Sequence, residues 1–337
     1  MGNSTTENLS QYVVKSNDLI RRTRYTLTTQ QHRIMLYAIS KIKPNDTPET
    51  TYEIDIKELC AVCGIKMDGT GYYYKAIKDD LIKLTTRIWF TLPDKTAFTV
   101  SWISDAMIIP LSGKVYIKFH ERLAPYLFQL RENYTQYQLR KAITFKGTYT
   151  IRLYELLKSY TTRIALENGD EQEARFTLDE LRDYFNVTAY KRWADFDRYV
   201  IRKAVDEINL CNDEMKISYD VYKVGHAVKW IMFIISAPSV SDKIKAHEEE
   251  RNRLRIVRKR AASAPTKEIN SKEKTSFYNL DNNIGEGQHL ANFAREFLQK
   301  YSSNMTDTEK KELAEFADSI EYITSPRSIT GGGGNAD

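Results

Sequence analysis

ARFTLDEL at residues 174–181 and RWADFDRYVIRKAVDEINL at 192–210 decide the fold. The first is a short strand-like approach into a helix start, with Thr177 and Glu180 at capping-box spacing. The second places Phe196, Val200, Ala204 and Ile208 at i, i+4, i+8 and i+12, the apolar face of a helix. Upstream, TYTIRLYELLKSY (148–160) is another apolar-periodic helix. Downstream, KISYDVYKV (216–224) turns at Gly225-His226 into AVKWIMFIIS (227–236), a β pair rich in β-branched and aromatic residues. Helix, helix, helix, hairpin is the order of a winged helix, a helix-turn-helix with a β wing.

The first half of the chain repeats this order. TTQQHRIMLYAISKI (28–42) carries Thr28 and Gln31 as a capping box, and YEIDIKEL (52–59) resembles 174–181, with Asp55 and Glu58 at capping-box-like spacing. YYYKAIKDDLIKL (72–84) sets Ile77, Leu81 and Leu84 on one face. RIWFTL (87–92) then turns at Pro93-Asp94-Lys95 into AFTVSWISDAMII (97–109), and KVYIKFH (114–120) adds a third strand. The expected fold is α+β, with two tandem winged-helix domains at 12–133 and 134–238 and a charged linker and partly disordered tail at 239–337. Within that tail, KIKAHEEERNRLRIVRKRAA (243–262) is charged, 288–300 and 306–322 have short-helix character, and ITGGGGNAD is a flexible end.

Length and composition agree. At about 150 residues per domain, 337 residues allow two domains and a remainder. Lys plus Arg is 50 against 45 Asp plus Glu, a net +5 that permits a nucleic-acid partner without demanding one. Three cysteines make no disulfide framework and point to a reducing, cytoplasmic setting. The N-terminus MGNSTTENLS has no apolar signal core. The longest apolar run, Trp230 to Ile235, is six residues. A membrane span needs about 20, so no membrane association is expected.

Catalytic constellations are missing from the sequence. There is no P-loop, and Gly69-Thr70-Gly71 is better read as a turn than as a nucleotide loop. The five histidines (32, 120, 226, 247, 289) are scattered, with no metal-binding spacing. Cys60 and Cys63 form a CxxC, but it ends a helix before Gly64, so buried core cysteines are the better reading than zinc or redox chemistry. The tyrosines interleave with apolar positions, and the acidic pairs Asp79-Asp80 and Asp206-Glu207 read as solvated helix faces. No enzyme, cofactor or metal is expected.

The placement of cations is more informative. The third helix of the second repeat is opened by Tyr190, Lys191 and Arg192 and continues with Arg198, Arg202 and Lys203. Residues 191, 195, 198 and 202 lie along one stripe, beside the apolar one. A recognition helix needs this arrangement, because arginine grips guanine O6 and N7 in the major groove. Lys223, His226 and Lys229 on the wing suit phosphate or minor-groove contact. In the first repeat Lys75, Lys78 and Lys83 could hold phosphates, with Asp79 and Asp80 diluting the field.

LIRRTRYTLTTQQHRIMLYAISKI (19–42), YTIRLYELLKSY (149–160), FTLDELRDYFNV (176–187) and FDRYVIRKAVDEIN (196–209) resemble the RepB-type replication initiators of iteron-containing theta-replicating plasmids. The resemblance spans about residues 12–237. It implies that the C-terminal winged helix reads repeated origin sequences, the iterons, in the major groove. The N-terminal one would contact backbone and adjacent bases and rearrange into a homodimer interface. Monomers would initiate replication and dimers repress the chain's own gene, a form of plasmid copy control. Origin double-stranded DNA and the host initiator and helicase machinery would be the partners. By family position Lys191, Arg192, Arg198 and Arg202 match the recognition helix. A winged-helix transcriptional regulator is the alternative.

Overall fold

A computed structural model describes residues 11–67, 72–91, 94–109 and 113–262, with isolated positions beyond. The Gly69-Thr70-Gly71 turn, the stretches 288–300 and 306–322 and the glycine-rich end lie outside the described residues.

The first repeat opens with β1 (Tyr12–Ser16), α1 (Asn17–Arg22) and the short β2 (Thr23–Arg24). The helix α2 (Thr29–Ile39) follows, started by the Thr28–Gln31 capping box. Next come β3 (Thr51–Asp55) and α3 (Ile56–Cys63), then α4 (Tyr72–Leu84). Asp55 caps α3 by accepting from the Glu58 N–H, and Gly64 ends it at φ 70°, a left-handed conformation that glycine adopts without a Cβ penalty. The strands β4 (Ile88–Thr91), β5 (Ala97–Val100), β6 (Ile103–Ile109) and β7 (Lys114–Phe119) complete the unit. A short α5 (Ala124–Leu127) leads to β8 (Tyr134–Gln138), which pairs antiparallel with β1, and α6 (Leu139–Ile143).

The second repeat runs through α7 (Thr148–Lys158), α8 (Arg163–Asn168), β9 (Gln172–Thr177) and α9 (Leu178–Phe185). Its long helix α10, 193–211, contains a π turn at Asp197–Ile201. The hairpin of β10 (Lys216–Val224) and β11 (Ala227–Ser236) is its wing, and β9 joins it in the order β10-β11-β9.

The first wing differs from the sequence expectation. β3, β7 and β6 form the sheet that matches β9, β11 and β10, so the first wing is β6–β7. The expected hairpin of 87–92 with 97–109 is only partly formed: β4 and β5 pair, but in a separate sheet with β2. The run 97–109 is broken at Ser101-Trp102. Val100, Ser101, Trp102 and Ile103 are all buried, and four buried residues in succession cannot alternate faces on one half-exposed strand. The chain changes sheets at Trp102 instead.

Residues 240–262, expected to be linker, also differ. They form the helix α11 (Val240–Ala262), which packs against α10 and α3. Glu250 meets Lys141 at 3.2 Å, and Lys141 also holds Asp213 at 2.6 Å. Arg253 donates to Glu207 at 2.6 Å and to the Thr144 carbonyl at 3.1 Å.

A second network joins β1 to α7. Lys15 pairs with Glu155, and both side chains are almost fully buried. The Tyr137 hydroxyl donates to the same carboxylate. Arg152 lies between the Tyr25 and Tyr184 rings, 3.9 and 4.0 Å from their centroids, and donates to the carbonyls of Thr23 and Tyr184, each at 2.9 Å. Paired and hydrogen-bonded in this way, the charges can stay inside.

Candidate nucleic-acid interface

The second helix-turn-helix is built by α9, a turn and α10. The Thr177–Glu180 capping box starts α9, and Asn186 at φ 51° ends it. Arg182 of α9 reaches across the turn and donates to the carbonyls of Tyr190, at 3.3 Å, and Lys191. The backbone that presents Lys191 and Arg192 is thereby fixed.

In α10 the pairs 196–197, 200–201 and 204–205 are buried, and 198–199 and 202–203 are exposed. This is a repeat of four. On a helix of 3.6 residues per turn, each four-residue step drifts about 40° around the axis. The π turn underwinds the helix and keeps the apolar set 196, 200, 204 and 208 on the core. It also turns Asp197 inward, where it is only 5% exposed. The Tyr219 hydroxyl of β10 and the Arg202 guanidinium both donate to the Asp197 carboxylate. Burial, then the bond to Asp197, pushes the Tyr219 hydroxyl up to about 12, so it remains a donor at neutral pH.

All ten lysines and arginines singled out from sequence, Lys83 included, are exposed. Lys191, Arg192, Arg198, Arg202 and Lys203 belong to α10 and its approach. Arg202 has part of its fork taken by Asp197, and Arg192 is held by Asp195 at 2.8 Å, an exposed pair that a phosphate can displace at little cost. Arg198 and Lys203 flank the Tyr199 ring at 5.4 and 5.3 Å from its centroid. Lys223 and Lys229 stand on the wing around the Gly225 tip, where φ is 61°. Behind that tip Tyr222 stacks on Trp230 at 4.0 Å and 5°, and Arg175 lies 3.7 Å from the Trp230 centroid. Lys75 and Lys78 are on α4 of the first winged helix.

Two acidic pairs are corrected by the structure. Asp79 is exposed, but Asp80 is buried and accepts from the amides of Gln31, at 3.0 Å, and Gln30. Burial holds its carboxyl above the ordinary range. Glu207 accepts from the N–H groups of Lys146 and Gly147 at 2.8 and 3.0 Å, from Thr150 at 2.7 Å and from Arg253. Cys60 and Cys63 are buried at the end of α3, and burial pushes the Cys60 thiol up to about 12. Among the described residues no group of side chains could hold a metal, and no helix is long and apolar enough to cross a membrane.

Residues 12–158 match the family described as Initiator Replication protein, WH1, and residues 177–235 match its partner domain, Initiator Rep protein, WH2. The chain belongs to the replication initiator family. An Escherichia coli replication initiation protein is 23% identical to this initiator over 252 residues, 72% of this chain and 75% of that protein. The crystal structure of Pi initiator protein in complex with iteron DNA superposes with a TM-score of 0.53 at 17% identity, covering 68% of this chain and 99% of that one. The initiator thus has the two winged-helix domains of its family, and the first family match runs on through α7, the helix that carries Glu155 and Arg152.

Proposed function

We propose that this initiator binds directly repeated origin sequences as a monomer, opens replication there without catalytic chemistry of its own, and represses its own gene as a dimer. The observation that carries the reading is the exposed cation row of α10, Lys191, Arg192, Arg198, Arg202 and Lys203, next to a wing bearing Lys223 and Lys229. Arg198 is the base reader, with its fork on a guanine edge. Arg202, tied to Asp197, positions the helix against the wing and reads with its remaining N–H groups. Lys191, Lys203, Lys223 and Lys229 take phosphates, and Lys75 and Lys78 of the first domain add backbone contacts. The roles divide between 12–133, which dimerises and positions, and 134–238, which reads.

A dimer interface through α2 requires rearrangement, because Ile34, Met35, Leu36, Tyr37, Ala38 and Ile39 are already buried in the first domain. Two unlike helix-turn-helix units give a monomer site polarity, so multiple monomer sites are direct repeats, whereas a symmetric dimer needs inverted half-sites. Host initiator and helicase are the partners recruited to the distorted origin.

Footprinting on DNA flanking the initiator's own gene tests this. Protection of direct repeats over about two helical turns each, with major-groove contacts about 10–10.5 bp apart, is the expected result. Protection of a lone palindrome and no repeat would instead make the chain a transcriptional regulator.

A further inference from the structure

The recognition helix carries an aromatic surface that the cation row does not explain. Tyr199 is 38% exposed at the middle of α10, in the exposed pair with Arg198 that the π turn directs away from the core. Its ring stacks on Tyr190 of the preceding turn, with centroids 5.2 Å apart and planes at 23°. Tyr190 itself is half-buried, and the Arg182 bond to its carbonyl fixes its backbone. The Tyr199 ring is therefore preorganised, and it sits between two cations, Arg198 and Lys203.

Cations at this spacing anchor the ring close to phosphates and guanine edges. What a tyrosine face adds to them is apolar area. In the major groove the one apolar group that a base edge presents is the thymine 5-methyl. We infer that Tyr199 is a specificity residue that covers the 5-methyl of a thymine, with Tyr190 as the positioning residue that holds its ring. The inference rests on α10 being the recognition helix and adds a base preference to it.

The test uses the full chain and duplexes that it selects from random DNA. Each thymine of the selected site is replaced singly by deoxyuridine, which removes only the methyl. At one or two thymines the wild-type Kd should rise about four-fold, the worth of one buried methyl. Tyr199→Ala should bind the site more weakly and show no penalty at those positions. Tyr199→Phe should keep the penalty, and Tyr190→Ala should reduce it while Kd on random DNA stays constant. A deoxyuridine penalty unchanged in Tyr199→Ala, or a selected site with no methyl-sensitive thymine, overturns the inference and leaves α10 as the reader. If no sequence is enriched at all, the reading of α10 fails and takes the inference with it.

Discussion

Each winged helix buries one carboxylate of its third helix, and the two satisfy it differently. In α4 Asp80 turns onto the neutral amides of Gln30 and Gln31, both from α2. In α10 Asp197 turns onto Arg202 of the same helix and Tyr219 of the wing. The first arrangement fastens the helix to its own domain core. The second ties helix and wing into one rigid surface, at the cost of part of one guanidinium. A surface that must match base edges within a fraction of an ångström gains from that tie. A surface that holds phosphates gains little.

Within the buried network of β1 and α7, Glu155 is the residue whose loss should cost most. Glu155→Gln leaves Lys15 buried without its counter-charge and should cost about 3–5 kcal/mol. Chemical denaturation should show the loss as a lower midpoint. An unchanged midpoint would mean that Lys15 does not depend on Glu155 for its place in the core.

Acid should weaken the same region. Burial, then the charges of Arg152 and Lys15, lowers the pKa of His32 in α2 to about 3 from an ordinary 6.5. The folded value lies below the unfolded one, so the unfolded chain takes up the proton first. The stability that His32 contributes is complete above pH 6.5 and declines as pH falls toward 3. Thermal melts between pH 6.5 and 4.5 should drop, and His32→Phe should flatten the drop. Equal slopes in both proteins would assign the acid response elsewhere.

A smaller effect sharpens the contrast between the proposed reader and the proposed holder. Arg198→Ala should lose about 1–3 kcal/mol on the selected site and little on random duplex. Lys75→Ala should have the least effect, an equal weakening on both DNAs that lowers the log–log salt slope by about 0.9. Titrations at several salt concentrations distinguish the two. Sequence-selective loss from Lys75→Ala would erase the division of labour.

Much of this was legible in the sequence. Apolar spacing, capping pairs and turn residues are local signals, so the repeated helix order and the starts of α2 and α9 could be read directly. The cation row on α10 was legible for the same reason. Asp80, Glu155 and Asp197 were not read as buried, nor Glu207 as hydrogen-bonded, because each is satisfied by groups distant in sequence or by a neighbour that also looks like a surface charge. Two signals were nevertheless present. Glu155 sits inside the apolar run 153–157, and Asp197 directly follows Phe196 beside the apolar stripe 196, 200, 204 and 208. The first wing was misplaced because β4, β5, β6 and β7 all have strand composition, and only the long-range partner β3 selects between them. The packing of α11 was hidden behind a charge-rich composition, since Glu250 and Arg253 are buried through the partners Lys141 and Glu207.

The Lys15–Glu155 pair also predicts an order of events at the ribosome. β1 is made first, and its lysine has no counter-charge until α7 has emerged. At about 5–20 residues per second that interval is roughly 7–28 s. Sealing an unmatched ammonium inside the first domain is too costly to happen early, so β1 stays undocked while the rest of that domain is synthesised. The N-terminal part should therefore close only once α7, the last helix of the first family match, is available. Nascent chains stalled before residue 155 should remain open to protease at 12–16, and those stalled well beyond it should be protected.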